Sequence, residues 1–146
     1  MAFRLSEKWQ AVLFAAILIV AIAVLYRAAV GFQPGAIATR VVGFVKLDIE
    51  GNGWSIHYAP IITTNNTAFG LLVEASARLG FSVANQTYQF PEGIFVTAIN
   101  GTVNGEGGRW WQYWVDGVYA GVAADHQELH DNDIVLWSFS PSMEGM

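Results

Sequence analysis

The side chains with the widest chemical repertoire crowd into one short segment, Asp125-His126-Gln127-Glu128-Leu129-His130-Asp131-Asn132-Asp133. Imidazole and carboxylate together suit zinc, copper or iron. His126 and His130 stand four apart, which sets both on one side of a helix but means little in an extended loop. Two readings follow: a divalent-metal site on His126 and His130, or a solvated acidic loop. Asp133 also precedes a strand, where a turn has use for it. His57 alternates onto the polar face of its own strand and reads as ordinary surface. Elsewhere the chemistry thins out. There is no nucleophile elbow or Ser-His-Asp signature, and Gly101, Gly105, Gly107 and Gly108 do not have the spacing of a phosphate-binding loop. Paired carboxylates occur only in the acidic segment, whereas a glycosidase needs two across a cleft. With no cysteine, neither a disulfide framework nor a thiolate metal site can form. The expectation is a protein that is not an enzyme, with that metal as the one cofactor alternative.

The elements that would position such a segment are strands. Residues 108–139 hold four of the six tryptophans, Trp110, Trp111, Trp114 and Trp137. Asp116-Gly117 is the one strict two-residue hairpin signal, since a type I′ turn needs two residues that tolerate positive φ. It sets Val115 opposite Val118, Trp114 opposite Tyr119 and Tyr113 opposite Ala120. Upstream, Val45, Leu47 and Ile49 alternate with Phe44, Lys46 and Asp48, and a Gly51-Asn52-Gly53 turn leads to a second alternating run at 54–59. Ala68, Leu72, Ala75 and Leu79 form a helical stripe, with N-cap candidates at 63–66 and Gly80 placed to end it. Residues 81–90 are mixed and suggest a short strand; 95–100 suggest another, closed by Asn100-Gly101. Strand, strand, helix, then three or four strands is an α+β order with one helix on a mixed sheet.

Trp111-x-Tyr113-x-Val115-Asp116-Gly117, followed by Asp133-x-Val135-x-Trp137-x-Phe139, resembles the pattern of a domain family of unknown function related to the C-terminal domain of transcobalamin and intrinsic factor. The run from Gly93 to Asn100-Gly101 is similar to that family's strand ending in Ile-Asn-Gly, and residues 67–80 fall where the family has its helix. Asp116 stands for the family's Asn and Asn132 for its Gly, and both tolerate turns. The resemblance covers roughly residues 41–140. It implies a ubiquitin-like β-grasp or a close variant, and a fold able to cover one face of a cobalamin-like ligand.

The same match implies that Trp111, Tyr113, Val115, Val135, Trp137 and Phe139 face the helix. Trp110, Gln112, Trp114, Tyr119, Ile134 and Leu136 then point away from it, onto a face that ordinarily reads polar. An apolar patch there marks a partner interface or ligand platform, unless residues 123–132 fold over it. Tryptophans beside Gln112 would also suit a sugar.

Residues 9–26 carry no charge, and eighteen helical residues reach about 27 Å, close to a bilayer's hydrocarbon thickness. Trp9 and Tyr26 sit at its ends, with Arg4 and Lys8 before it and Arg27 after. The expected organisation is a cytoplasmic N-terminus at 1–8, a single-pass transmembrane helix at 9–27, a linker at 28–40, an extracytoplasmic domain at 41–140 and a tail at 141–146. A cleaved signal peptide, with Ala36-Ile37-Ala38 as its small-x-small site, and a buried core helix are the alternatives. Residues 41–146 hold Lys46, Arg78 and Arg109 against eleven acidic side chains, a balance of −8 that argues against nucleic acid. Outside the cytoplasm, Asn65, Asn85 and Asn100 would be glycosylation sequons. The function expected is a non-catalytic accessory subunit or adaptor of a membrane complex, binding through the aromatic face. The alternatives are a small-molecule-binding domain for a cobalamin-like ligand or sugar, and a metal-binding accessory protein.

Overall fold

The computed structural model describes residues 17–22 and 39–142. The chain divides into two units, Met1–Ala36 and Ile37–Met146. In the first, residues 17–22 are helical and exposed. The rest of the run at 9–27, on which the transmembrane expectation falls, lies outside the described residues, as does most of the linker at 28–40. Among the described residues no helix is long and apolar enough to cross a membrane.

The second unit is a mixed α+β, sheet-dominated domain with one main helix. Its central sheet has five strands in the order β3 (Ser55–Tyr58), β2 (Lys46–Glu50), β10 (Ile134–Pro141), β8 (Arg109–Val115), β9 (Val118–Tyr119). The strand β10 runs parallel to β2 and antiparallel to β8. A second sheet joins β5 (Val83–Gln89), β6 (Glu92–Ile99) and β7 (Thr102–Val103), and a short antiparallel pair joins β1 (Val42–Gly43) to β4 (Ile62–Thr63). The helix α1 (Ala68–Leu79) buries Ala68, Leu71, Leu72 and Ala75. These pack with Leu47, Ile49, Trp111, Tyr113, Val135, Trp137 and Phe139 of the central sheet and Val96 and Ile99 of β6. The expected faces hold, because side chains alternate along a strand.

The turns follow their sequences. Asp116 and Gly117 have φ of 50° and 77°, as a type I′ turn requires, and the Val115–Val118 and Trp114–Tyr119 pairs are in register. Asn100-Gly101 makes a second two-residue turn of the same kind between β6 and β7, so Asp116-Gly117 is not the sole tight hairpin. The cap of α1 is Thr67, one residue beyond the expected candidates; its Oγ1 accepts from Gly70 N at 3.0 Å. Gly80 closes the helix in the left-handed conformation. Leu79, expected on the buried stripe, is exposed, and Leu71 takes the core position. The strand at 83–89 is longer than its mixed sequence suggests. It is an edge strand, exposed on both faces from Ala84 onward, so burial imposes no period on it.

Thr63 and Asn65 serve the helix in another way. The Glu74 carboxylate accepts from Asn65 Nδ2 at 2.6 Å, Tyr58 Oη at 2.6 Å and Thr63 Oγ1. Burial alone would raise this carboxyl, but the bonds from Asn65, Thr63 and Tyr58 outweigh it and hold Glu74 below its usual 4.5. Burial, then the bond to Glu74, pushes Tyr58 up to about 12. Glu74 therefore contributes stability above pH 4.5 that is lost as pH falls through its lowered folded value. Tyr58 contributes stability below pH 10 that is lost as pH rises towards about 12. Glu74→Gln is expected to cost about 1–3 kcal/mol at pH 7, the loss of bonds to a charged acceptor. It should also flatten the acid limb of the unfolding curve below pH 4.5 and weaken the alkaline one, because the Glu74 bond and charge both help to raise Tyr58. Denaturant titrations at pH 3, 7 and 11 check this.

Candidate functional site

A wide cleft among the described residues lies where the β5–β6 hairpin meets the chain leaving β9. It holds about 740 Å³ and is lined by Tyr88, Pro91, Gly93, Ile94, Phe95, Tyr119, Ala120, Val122 and His126, among others. Its walls are mostly apolar, and its size falls in the range of small-molecule sites. Two features build it. Gly93 lets the hairpin approach closely, since a Cβ there would lie 2.3 Å from the Ala123 Cβ. Asp125 Oδ1 then accepts from Ile94 N at 2.8 Å and ties the hairpin to the 121–126 segment. Tyr88 meets Phe95 edge-on at 6.2 Å.

A smaller cavity of about 130 Å³ shares Ile94, Phe95, Tyr119, Ala120, Val122 and Ala123 with this cleft and reaches inward to Tyr113 and Trp137. Tyr113 stacks on Trp137 at 4.9 Å and donates its hydroxyl to Val122 O at 2.7 Å. Burial, with Asp125 and Tyr119 nearby, pushes the Tyr113 hydroxyl's pKa up, so it stays a donor. Trp137 Nε1 is buried and has no acceptor among the described residues. A buried donor left unpaired is costly, and its presence asks for an explanation.

The six residues of the outer face lie where alternation puts them. Leu136 stands opposite Trp114, which stands opposite Tyr119, with their rings edge-on at 5.6 Å. Trp110 and Ile134 are exposed; Gln112 is fastened to Ser140 and Pro141 at the end of β10. The segment 121–132 does not cover this face. It packs on the helix side, with Ala124 and Leu129 buried in the core and Phe69 N donating to Ala124 O. Tyr119 belongs both to this face and to the cleft. The apolar rows end at β2, where Lys46, Asp48 and Glu50 alternate outward and Asp48 meets His57 at 2.6 Å.

The two histidines line different clefts. Their segment is turn and bridge rather than helix, so the four-residue spacing gives no common side. His126 lines the large cleft, with Nε2 3.5 Å from Asp125 Oδ2. His130, with Asp116, Glu128 and Asp133, lines a neighbouring cleft of about 400 Å³, which shares Tyr119, Ala120, Gly121 and Val122 with the first. Asp133 Oδ2 accepts from His130 N, Asp131 Oδ1 from Gly43 N and Asp116 Oδ1 from Ile134 N. Among the described residues no group of three or more His, Asp and Glu side chains is placed to hold a metal ion, fewer donors than a closed site needs. Sequence reasoning missed the cleft itself. Its signals were Gly93 and the aromatics Tyr88 and Phe95, on strands too irregular to place.

Several solved structures share the fold. One is a protein from Ruminococcus gnavus ATCC 29149, designated a candidate metal binding protein, with a TM-score of 0.55 and 16% identity over 68% of this chain and 98% of that one. Another is haptocorrin in complex with Cbi, with a TM-score of 0.52 and 15% identity over 70% of this chain; the match spans 26% of haptocorrin. No curated protein matches the sequence. The profile of a domain of unknown function, DUF4430, matches residues 68–141, which take in the helix, the tight turns and the Trp111–Phe139 motifs, and the chain belongs to that family.

Proposed function

We propose that the protein is a non-catalytic binding protein, anchored in a membrane by residues 9–27 with its domain outside the cytoplasm, and that it holds a small ring-bearing molecule in the Tyr88–Phe95–Tyr119 cleft. The observation that carries this is the mostly apolar cleft of about 740 Å³ walled by Tyr88, Phe95 and Tyr119, which shares six lining residues with the inner cavity. Such a site suits a ligand with an apolar ring body for the aromatic walls. The likeness to haptocorrin in complex with Cbi supports a small-molecule role for this fold. The parallel pairing of β10 with β2, beside the helix, supports the β-grasp reading.

A second reading rests on the uncovered row Leu136–Trp114–Tyr119 and on exposed Trp110 and Ile134. These would take a protein partner, making the chain an accessory subunit; aromatic residues favour such interfaces.

Saturation-transfer NMR of the detergent-solubilised chain, against a set of ring-bearing amphiphiles, tests the first reading. Hits are expected to lose tenfold or more in affinity in Tyr119→Ala, and less in Tyr88→Ala, both residues lining the cleft. A set with no hits, or hits indifferent to both substitutions and to Phe95→Ala, would defeat it. Loss of a co-purifying protein in Trp110→Asp, with the fold intact, would favour the second.

A further inference from the structure

Four apolar side chains are thrust into solvent at one corner of the domain: Val41 at 63% exposure, Phe44 at 64%, Ile61 at 71% and Ile62 at 66%. The β1–β4 pairing collects them. Gly43 stands opposite Ile62, and Phe44 N donates to Ile61 O at 2.9 Å. Their neighbours Val42 and Thr63 point inward and are buried, so the corner is ordered.

Phe44 has a φ of 56°. In this left-handed region a bulky side chain is a true outlier. The bend has a local task, since the chain must leave the β1–β4 pair and enter β2 two residues later. That task needs a positive φ, which Gly or Asn would supply without strain. It does not need a phenyl ring, and the ring gains little burial in return. Strain kept at a residue whose side chain faces solvent points to a use for that side chain.

Nothing ionisable lies between Arg40 and Lys46 in sequence, Arg40 is engaged by Leu129 O and Glu128, and the one carboxylate bonded to the corner, Asp131, accepts from Gly43 N at 2.7 Å. Four side chains cannot supply the ~800 Å² per partner that a stable protein interface buries. They do suit shallow insertion, about 5–10 Å into the headgroup–acyl boundary, where a few apolar groups suffice when a second signal holds the protein there. The same chain offers one. The uncharged run at 9–26 is separated from Val41 by Arg27 and residues 28–40, and those thirteen residues span at most about 45 Å when extended. A tether of that length keeps the corner at millimolar effective concentration over the surface.

We infer that the β1–β4 corner seats on the lipid bilayer surface, with Phe44, Ile61 and Ile62 entering the interfacial layer. This rests on the reading of residues 9–27 as a membrane anchor. The chain has no cysteine, so single Ile62→Cys and Asn52→Cys variants of the full chain can each carry one nitrobenzoxadiazole label in phosphatidylcholine vesicles. Asn52 is at the far end of the β2–β3 hairpin from Phe44. At position 62 the label should emit to the blue of position 52, be quenched severalfold more by doxyl-bearing lipid, and be shielded from aqueous iodide. Adding Phe44→Gly, which relaxes the backbone and removes the ring, should restore at least half of the iodide quenching while thermal unfolding stays unchanged or rises. Equal iodide quenching at 62 and 52 in vesicles that retain the protein would overturn the inference and leave the anchor standing. Shielding from both quenchers would assign the corner to a protein contact and overturn it too. Failure of the chain to stay with the vesicles would bring down the anchor reading and this inference together.

Discussion

Trp111→Ala is expected to lower the unfolding free energy by about 3–5 kcal/mol, the range for truncating a buried aromatic. Trp114→Ala, three residues on in the same strand, should cost about 1 kcal/mol. The difference comes from which side of β8 each ring occupies. Trp111 is buried, tilted against Trp54 at 5.8 Å and Phe139 at 5.3 Å, and its Nε1 donates to Thr102 O at 2.9 Å. Its loss opens a cavity and strands that carbonyl, two costs that add. Trp114 keeps one edge-on neighbour, Tyr119, and is partly in solvent. Denaturant unfolding followed by far-ultraviolet circular dichroism measures both. Equal losses would mean that the outer face is as much core as the inner one, and a protein partner on Trp114 would lose its basis.

Leu129→Ala should cost about 2–5 kcal/mol, although Leu129 lies in the most polar stretch of the chain. Its side chain is fully buried, and its N–H donates to Asn66 O at 2.9 Å. The same segment satisfies the start of α1, where Ala68 N donates to Gln127 O and Phe69 N to Ala124 O. The first N–H groups of a helix have no partner within it, so loosening Leu129 also frays that end. Glu128→Gln, in a half-exposed pair with Arg40, and His130→Ala, whose side chain is largely in solvent, should change stability by less than about 0.5 kcal/mol. Hydrogen exchange at Ala68 and Phe69 would separate this from a plain cavity effect, because only fraying speeds exchange at those two amides.

Much of the central sheet was legible because a half-buried strand advertises itself by alternation, and β2, β8 and β10 are all half-buried. Trp111, Tyr113, Trp137 and Phe139 fall on one side and Trp110, Trp114 and Leu136 on the other for that reason alone. The helix was legible from its stripe and Gly80. The cleft was not, because its walls come from an edge strand without period and from a close approach at Gly93 whose partner, Ala123, is thirty residues away in sequence. The acidic segment misled in part. Its charges suggested full solvation, but Asp125, Asp131 and Asp133 spend their oxygens on backbone amides, and Ala124 and Leu129 are core. A carboxylate capping a turn and one awaiting a cation look the same in a sequence.

The position of β10 has a consequence for how the chain is made. It is the middle strand of the five, bridging β2 on one side and β8 on the other, yet it is contributed by residues 134–141, after every other strand has left the ribosome. Until those residues emerge, the β2–β3 and β8–β9 hairpins have no strand in common and each presents a bare edge. Long-range pairing of this kind is slow to nucleate. A chain stopped anywhere before residue 134 would therefore hold two hairpins and no sheet to join them, and the fold closes only with this strand.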